Sequence, residues 1–214
     1  MIACPDCGAV DKSQVELYDV SLRKQNFGHT PIRPVCRKCH APLQLSHRCS
    51  GGELIVLTGT CGSGKSTVAE LLAQQGWLAV DGDCALQSAK YKRNGAKVDY
   101  RQLADEIAEE LDWLSLYTDK FVLATVIHPE DLAQYRELFA ARGLRSRFYL
   151  LKPAYDTAVQ RCQTRTCHKS ITPEYWIDYF YRLLEYEDGV VPVDSTDMTP
   201  QQTAEYILAD FRGL

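Results

Sequence analysis

The stretch Gly59-Thr60-Cys61-Gly62-Ser63-Gly64-Lys65-Ser66-Thr67 directly follows the apolar run Leu54-Ile55-Val56-Leu57. Its spacing, Gly-x₄-Gly-Lys-Ser, is that of a phosphate-binding P-loop. Glycines let successive backbone N–H groups turn inward around phosphate oxygens, where a side chain would block the approach. Lys65 is then expected to reach the β- and γ-phosphates of a nucleotide triphosphate, and Ser66 to offer its hydroxyl to Mg²⁺. The helix opened by Lys65 adds the positive end of its dipole to the same anion. A ligand-free Gly-rich turn is the alternative. The strand before the motif and the amphipathic pattern after it, with Val68, Leu71 and Leu72 inward, argue against that alternative.

Composition limits what surrounds this site. A chain of 214 residues with 45% hydrophobic content can bury one good core and carry a small appendage. The N-terminus, Met1-Ile2-Ala3-Cys4-Pro5, has no signal-peptide pattern, and no apolar run approaches membrane-spanning length. A cytoplasmic protein with no membrane partner is expected. Nine cysteines in that compartment call for metal ligation or burial rather than disulfides. The net charge of −4 divides into +3 for residues 1–52 (seven Lys/Arg, four Asp/Glu) and −7 for residues 53–214 (seventeen against twenty-four). A zinc ion on four thiolates would bring the first figure to about +1. That excess is too small to argue for nucleic-acid binding.

Cys4-Pro5-Asp6-Cys7 and Cys36-Arg37-Lys38-Cys39 are two Cys-x₂-Cys knuckles separated by 28 residues. Together they supply the four sulfurs of a structural Zn²⁺ site, with free buried thiols as the alternative reading. About fifty residues with few large apolar groups would hardly fold without such a centre. His40, His47 and Cys49 are nearby donors that could add to or replace it. Val15, Leu17, Tyr18, Val20 and Leu22 suggest one or two strands between the knuckles, and Ser46–Glu53, with Gly51-Gly52, reads as a linker. The expected division is a zinc-ribbon-like module over residues 1–50 and a second domain over 53–214. Through the module, a nucleic acid or protein partner is conceivable.

From residue 53 onward, apolar runs alternate with helical patterns. Strands are expected at Leu54–Leu57, Leu78–Val80, Phe121–Val126, Arg147–Leu151 and Val190–Val193. Helices are expected to start near Lys65, Tyr100, Glu130, Pro153, Pro173 and Pro200. Alternation of this kind implies an α/β fold with a parallel sheet covered on both faces. Ligands of such sheets bind beyond the carboxyl ends of the strands.

Val80-Asp81-Gly82-Asp83 brings two acids out of the second strand at that edge. Asp81 suits the water shell of Mg²⁺, and Asp83 the orientation and deprotonation of an acceptor alcohol; plain turn chemistry is the alternative. Arg161, Arg165 and His168 share one helix face and together suit an anion, such as a phosphoryl group covered by a closing lid. A solvated basic face is the bland reading. Cys61, inside the P-loop, reads as a redox-sensitive thiol or as a tolerated small residue. Trp113, Tyr117, Trp176, Tyr179 and Tyr181 could line an acceptor pocket or fill helix core.

With these residues in view, the chain resembles the small P-loop kinases of the gluconate kinase and shikimate kinase group. The resemblance covers about residues 53–214 and rests on the P-loop, the Asp81-Gly82-Asp83 turn, Tyr135-Arg136-Glu137-Leu138, and Arg161-x₃-Arg165-x₂-His168. Val193-Asp194-Ser195-Thr196 is similar to the adenine-lining loop of that group. The resemblance implies a P-loop NTPase three-layer sandwich with a five-stranded parallel sheet, ATP and Mg²⁺, a mobile lid, and a small hydroxylated acceptor of sugar-acid or cyclitol type. It implies catalytic roles for Lys65, Asp83, Arg161 and Arg165, and nucleotide contacts for residues 59–67, Asp81 and Asp194. The chain departs from the group at Thr125-Val126-Ile127-His128-Pro129-Glu130, where gluconate kinases hold their acceptor, and it lacks the Gly-Gly-Gly of shikimate kinases. His128 there reads as an acceptor contact or as a loop cap. A nucleoside, nucleotide or nucleic-acid 5′-hydroxyl kinase is a second reading. A nucleotide-switched binding protein is a third.

Overall fold

Alternate residues of one strand face opposite ways, and the strand that leads into the P-loop uses both directions for burial. The computed structural model describes residues 1–16, 34–46, 49–82, 100–164, 173–186 and 188–213. In the strand β6 (Gly52–Thr58), Leu54 and Val56 join one apolar cluster while Ile55 and Leu57 join another, all four fully buried. A strand covered on both sides must be apolar throughout, which is why Leu54–Leu57 shows no alternation.

Four more parallel strands complete that sheet: β7 (Leu78–Asp81), β8 (Lys120–Ala124), β9 (Leu144–Leu151) and β10 (Val190–Val193), in the order β10-β9-β6-β8-β7. Five strands were expected; all five exist, with ends shifted by up to three residues. One face is covered by the helices α2 (Tyr100–Leu114) and α3 (Leu132–Ala140). There Leu103, Ala104, Ile107, Leu111 and Leu114 recur at helical spacing and meet Phe121, Leu123, Tyr135, Phe139 and Phe148. The other face is covered by α1 (Lys65–Gln74) and α6 (Pro200–Arg212). Val68, Ala69 and Leu72 there pack with Ile207, Leu208, Phe211, Trp77 and Tyr149. The start of α6 follows from its sequence: Thr199 caps the backbone of Gln202, the Gln202 side chain returns the bond, and Pro200 occupies the first turn. The result is the helix–sheet–helix sandwich expected.

Two further helices, α4 (Tyr155–Thr164) and α5 (Pro173–Leu183), lie at the carboxyl end of the sheet. The short turn Pro129–Asp131 leads into α3, which begins at Leu132 rather than Glu130.

The N-terminal residues build small antiparallel sheets. The strand β1 (Ile2–Cys4) pairs with β2 (Gly8–Val10) and β5 (Gln44–Leu45), and β3 (Val15–Glu16) with β4 (Val35–Cys36). Val15 lies in a strand as expected; Leu17, Tyr18, Val20 and Leu22 fall outside the described residues. The buried cluster here is Ile2, Cys4, Val15, Cys36 and Leu43, against which Trp113 and Leu116 pack from the end of α2. Lys12 Nζ donates to the Leu116 carbonyl and lies 4.3 Å from the ring centre of Tyr117. A cleft of about 960 Å³ separates β5 from α2 and α3; Leu43, Leu45, Asp105, Glu109, Trp113 and Glu137 are among its walls. Beneath it, Arg142 makes a two-pronged ion pair with Asp112, at 2.9 and 2.8 Å, and the Cys49 amide donates to the same carboxylate at 2.8 Å. Among the described residues, no helix is long and apolar enough to cross a membrane.

Candidate active site

The P-loop leaves β6 at the carboxyl edge and closes on itself before α1. Gly59, Gly62 and Gly64 take φ of 146°, 75° and 96°, which residues with a Cβ rarely adopt. A Cβ on Gly59 would also collide with the Leu151 carbonyl, and one on Gly62 with the Ala158 carbonyl and, at 3.0 Å, Cys162 Sγ. The loop is thus pressed between the end of β9 and α4. Lys65 is 8% exposed, and its Nζ donates to the carbonyls of Gly59 at 2.8 Å and Thr60 at 3.1 Å. Those bonds fold the ammonium back across the loop mouth. Thr60 Oγ1 and Ser63 Oγ are buried without a hydrogen-bond partner among the described residues. Such hydroxyls in a ring of glycines fit an oxyanion ligand. Ser66 and Thr67 are exposed on the first turn of α1, and Cys61 is half-buried against Ala158, Cys162 and Ile177.

Asp81 ends β7 opposite Ala124 of β8, so it stands at the same edge, two strands from the loop. Gly82 follows because the chain there passes within reach of β8: a Cβ would lie 2.6 Å from the Thr125 side chain and 2.9 Å from Ile107 Cδ1. Asp83 lies outside the described residues, as do Arg165 and His168.

Beyond β8 the chain stays tied to the loop's stem. Thr125 N donates to the Leu57 carbonyl at 3.0 Å and Ile127 N to Thr58 Oγ1 at 3.1 Å. The Tyr186 hydroxyl donates to the Ile127 carbonyl at 2.5 Å and therefore accepts from Thr58, at 3.4 Å. Burial pushes the Tyr186 phenol up to about 12, so it keeps its proton. These bonds tie Ile127, the neighbour of His128, to the end of the strand that leads into the loop; His128 itself is 8% exposed. Its ring contacts Tyr179 and Phe180 of α5 at centroid distances of 6.5 and 5.8 Å. His128 starts the turn Pro129–Asp131 without a side-chain cap bond. Its ligand nitrogen and the carboxylates of Glu130 and Asp131 all lie within 4.8 Å of one another.

Arg161 sits on α4, where Nη2 donates to the Ser195 carbonyl at 2.8 Å and Nη1 reaches Ser195 Oγ at 3.5 Å. Asp194, exposed, accepts from the amide and hydroxyl of Thr196; those bonds hold its carboxyl below the usual range. Thr196 Oγ1 in turn accepts from Ala154 N at 2.7 Å. Arg161 therefore braces α4 against the loop after β10, the segment expected to meet adenine. Tyr135 is fully buried in the core and Arg136 donates to the Asp188 carbonyl at 2.9 Å. Sequence reasoning overlooked Thr58 and Tyr186 and, though it placed Ser195 in the loop expected to meet adenine, did not foresee its bonds to Arg161; all three depend on contacts across distant elements.

A second donor set lies at the N-terminus. The sulfurs of Cys4, Cys7, Cys36 and Cys39 cluster within 4.8 Å, with separations of 3.4 Å for Cys4–Cys39, 3.6 Å for Cys7–Cys39 and 4.0 Å for Cys7–Cys36. A tetrahedron with metal–sulfur bonds of about 2.3 Å has edges of about 3.8 Å, so the four fit Zn²⁺. Amides of Cys39 and Lys38 bring the Cys36 thiol down to about 7. The Ala41 amide acts likewise on Cys39, yet bonds with neighbouring sulfurs, and burial, carry that thiol up to about 12. As four thiolates, sulfurs this close would need a cation between them.

No protein-family model matches the chain, and no curated protein is detectably similar to it in sequence. Solved structures are similar in fold. A gluconokinase from Sinorhizobium meliloti 1021 matches with a TM-score of 0.57 and 23% identity, over 78% of this chain and 94% of that one. A sugar kinase from Janibacter sp. HTCC2649 matches at 0.57 and 18% identity, over 74% and 93%. The Mycobacterium tuberculosis APS kinase, solved with AMPPNP and APS, matches at 0.55 and 19% identity, over 77% and 99%. The P-loop, the strand order and these likenesses agree: the chain has the P-loop kinase fold, with a four-cysteine cluster added near its N-terminus.

Proposed function

We propose that this chain is an ATP-dependent phosphotransferase that moves the γ-phosphoryl group to an alcohol of a small metabolite. One observation carries the reading. Three glycines in left-handed backbone, two buried hydroxyls without a partner among the described residues and a buried lysine form a single cradle at the carboxyl edge of a parallel sheet, with Asp81 at the same edge. The likeness of fold to a gluconokinase, a sugar kinase and an APS kinase supports a small acceptor.

In this reading the amides of residues 59–67 and the Lys65 ammonium hold the triphosphate, and Lys65 exchanges its carbonyl partners for phosphate oxygens. Ser66 and Asp81 would hold Mg²⁺, which when bound offsets charge on the phosphates. Asp83 orients the acceptor hydroxyl and takes its proton as the new O–P bond forms and the bond to ADP breaks. Arg161 and Arg165 act from the lid side, and Asp194 lines the adenine. Residues 1–50 would form a separate module on a structural Zn²⁺ held by Cys4, Cys7, Cys36 and Cys39, with residues 53–214 as the kinase domain. A protein or nucleic-acid partner of that module belongs to the same proposal.

The test is ATP consumption over a panel of sugar acids, cyclitols, nucleosides and 5′-hydroxyl oligonucleotides. With an acceptor in hand, Lys65→Ala should lower transfer by about 10²- to 10³-fold. Asp83→Asn should lower it by about 10²- to 10⁴-fold while ATP still binds; near-normal transfer by that variant overturns the assignment of the base.

A further inference from the structure

The helix α5 crosses the carboxyl edge of the sheet with one face down. Ile177 meets Ala158 and Cys162 beside the P-loop, while Phe180 and Leu184 meet Val126 and Leu150. Its other side carries large rings in the open: Tyr175 is 64% exposed, Trp176 37% and Tyr179 44%. These rings are not scattered. Trp176 stacks on Phe180 at 5.7 Å and an interplanar angle of 19°, and touches Tyr175 and Tyr179 edge-on at 5.3 and 6.1 Å. Tyr179 continues the contact to Phe180 at 5.0 Å and to His128 at 6.5 Å. One aromatic stripe therefore runs from solvent down to His128, whose chain neighbour Ile127 is bonded to the stem of the P-loop.

Exposed rings in mutual contact cost solvation unless something flat covers them, and a stripe on a single helix face suits a planar ring. A cation would instead call for rings on several sides. Charge narrows the choice. On α5 the exposed residues Glu174 and Asp178 oppose Arg182, and Glu130 and Asp131 stand beyond His128. Asp178 accepts a hydrogen bond from Tyr155 and, with Glu174, helps raise that phenol above its ordinary range. Lys152, 5.2 Å from the ring centre of Tyr181, and Arg182 are cations on or against α5; the four carboxylates still outnumber these two and disfavour an acceptor that is itself a carboxylate or a phosphate.

We propose that the acceptor is an uncharged nucleoside whose base stacks on the Tyr175–Trp176–Tyr179 stripe and whose sugar hydroxyl points toward the P-loop. The proposal rests on the kinase reading and specifies its substrate class. The hydroxyl oxygen bonds to the γ-phosphorus, the bond from that phosphorus to the β-bridging oxygen breaks, ADP leaves, and the hydroxyl proton passes to a carboxylate, assigned above to Asp83.

The experiment uses the full chain with ATP and Mg²⁺. Initial rates are compared for adenosine, guanosine, cytidine, uridine, gluconate and an amino alcohol, and nucleoside binding is followed by tryptophan fluorescence. At least one nucleoside should exceed gluconate and the amino alcohol by about 10-fold or more in kcat/KM. Trp176→Ala should raise the nucleoside KM about 5- to 100-fold, leave the KM for ATP unchanged and abolish the fluorescence response. Trp176→Phe should restore most of the affinity, a rescue that a purely structural ring would not need for acceptor KM alone. Tyr179→Ala, on a more exposed ring, should give a smaller rise. Preference for gluconate or the amino alcohol, or an unchanged nucleoside KM in both Trp176→Ala and Tyr179→Ala, overturns the acceptor class and leaves the kinase reading intact. Failure to bind ATP or to phosphorylate any acceptor overturns the kinase reading and this proposal with it.

Discussion

The two ends of this chain are held together in different ways. Around the sheet, large side chains such as Phe121, Tyr135, Phe139, Tyr149 and Phe211 are fully buried on one face or the other. Each contributes on the order of 1.5–3 kcal/mol by leaving water. Around β1 to β5 the buried cluster is five residues, two of them cysteines, and the strands are two or three residues long. The first region can stand on its core. On the proposed Zn²⁺ site, the second region depends on the ion its four sulfurs would hold and on its contact with the end of α2, so its stability would follow metal supply more than packing.

The strongest way to break that contrast is to remove the proposed Zn²⁺. A strong chelator should unfold the cysteine region, a loss of about 10 kcal/mol or more from a structural zinc site. Cys4, Cys7, Cys36 and Cys39 should then react with a thiol reagent while the helical circular dichroism of the sheet region persists; loss of both together would mean one cooperative unit. A smaller effect is expected at the joint. Asp112→Ala leaves Arg142 charged and buried and the Cys49 amide without its acceptor, so the denaturant midpoint should fall by about 3–5 kcal/mol in stability. Adding Arg142→Met should recover much of that, since the pair rather than either charge is what the site tolerates. The smallest effect belongs to Lys12→Ala. It removes one bond to Leu116 and a cation over Tyr117, at under about 1 kcal/mol. Limited proteolysis near residues 1–16 should detect it where global unfolding does not.

The same contrast explains what could be read in advance. β10 falls on Val190–Val193 as expected, and α1, α2, α5 and α6 begin at Lys65, Tyr100, Pro173 and Pro200, because apolar period and proline signal them locally. β9 starts at Leu144, earlier than Arg147, because Arg145 and Arg147 are carried in a strand by partners far away, Glu53 and Asp210. β1, β2 and β5 escaped notice because runs of two or three residues have no period; the knuckles position them. At the site, the P-loop was legible from spacing alone. The bracing of Arg161 on Ser195 and the Thr58–Tyr186–Ile127 bonds join residues up to 128 apart in sequence, which no local pattern encodes. Trp113, offered as a wall of an acceptor pocket or as helix core, packs against the buried cluster of the cysteine region and lines the cleft beside it.

Strand order also has a consequence during synthesis. Leu57 of the central strand pairs with Ala124 on one side and Tyr149 on the other, so the ribosome must add roughly ninety more residues before both neighbours exist. At about 5–20 residues per second, that leaves an apolar ribbon unpaired for several seconds or longer. The cysteine region has all its strands by Leu45 and can close first. A nascent chain would thus emerge with its smallest part finished and its most aggregation-prone part waiting, an arrangement that makes early shielding by a chaperone a natural requirement.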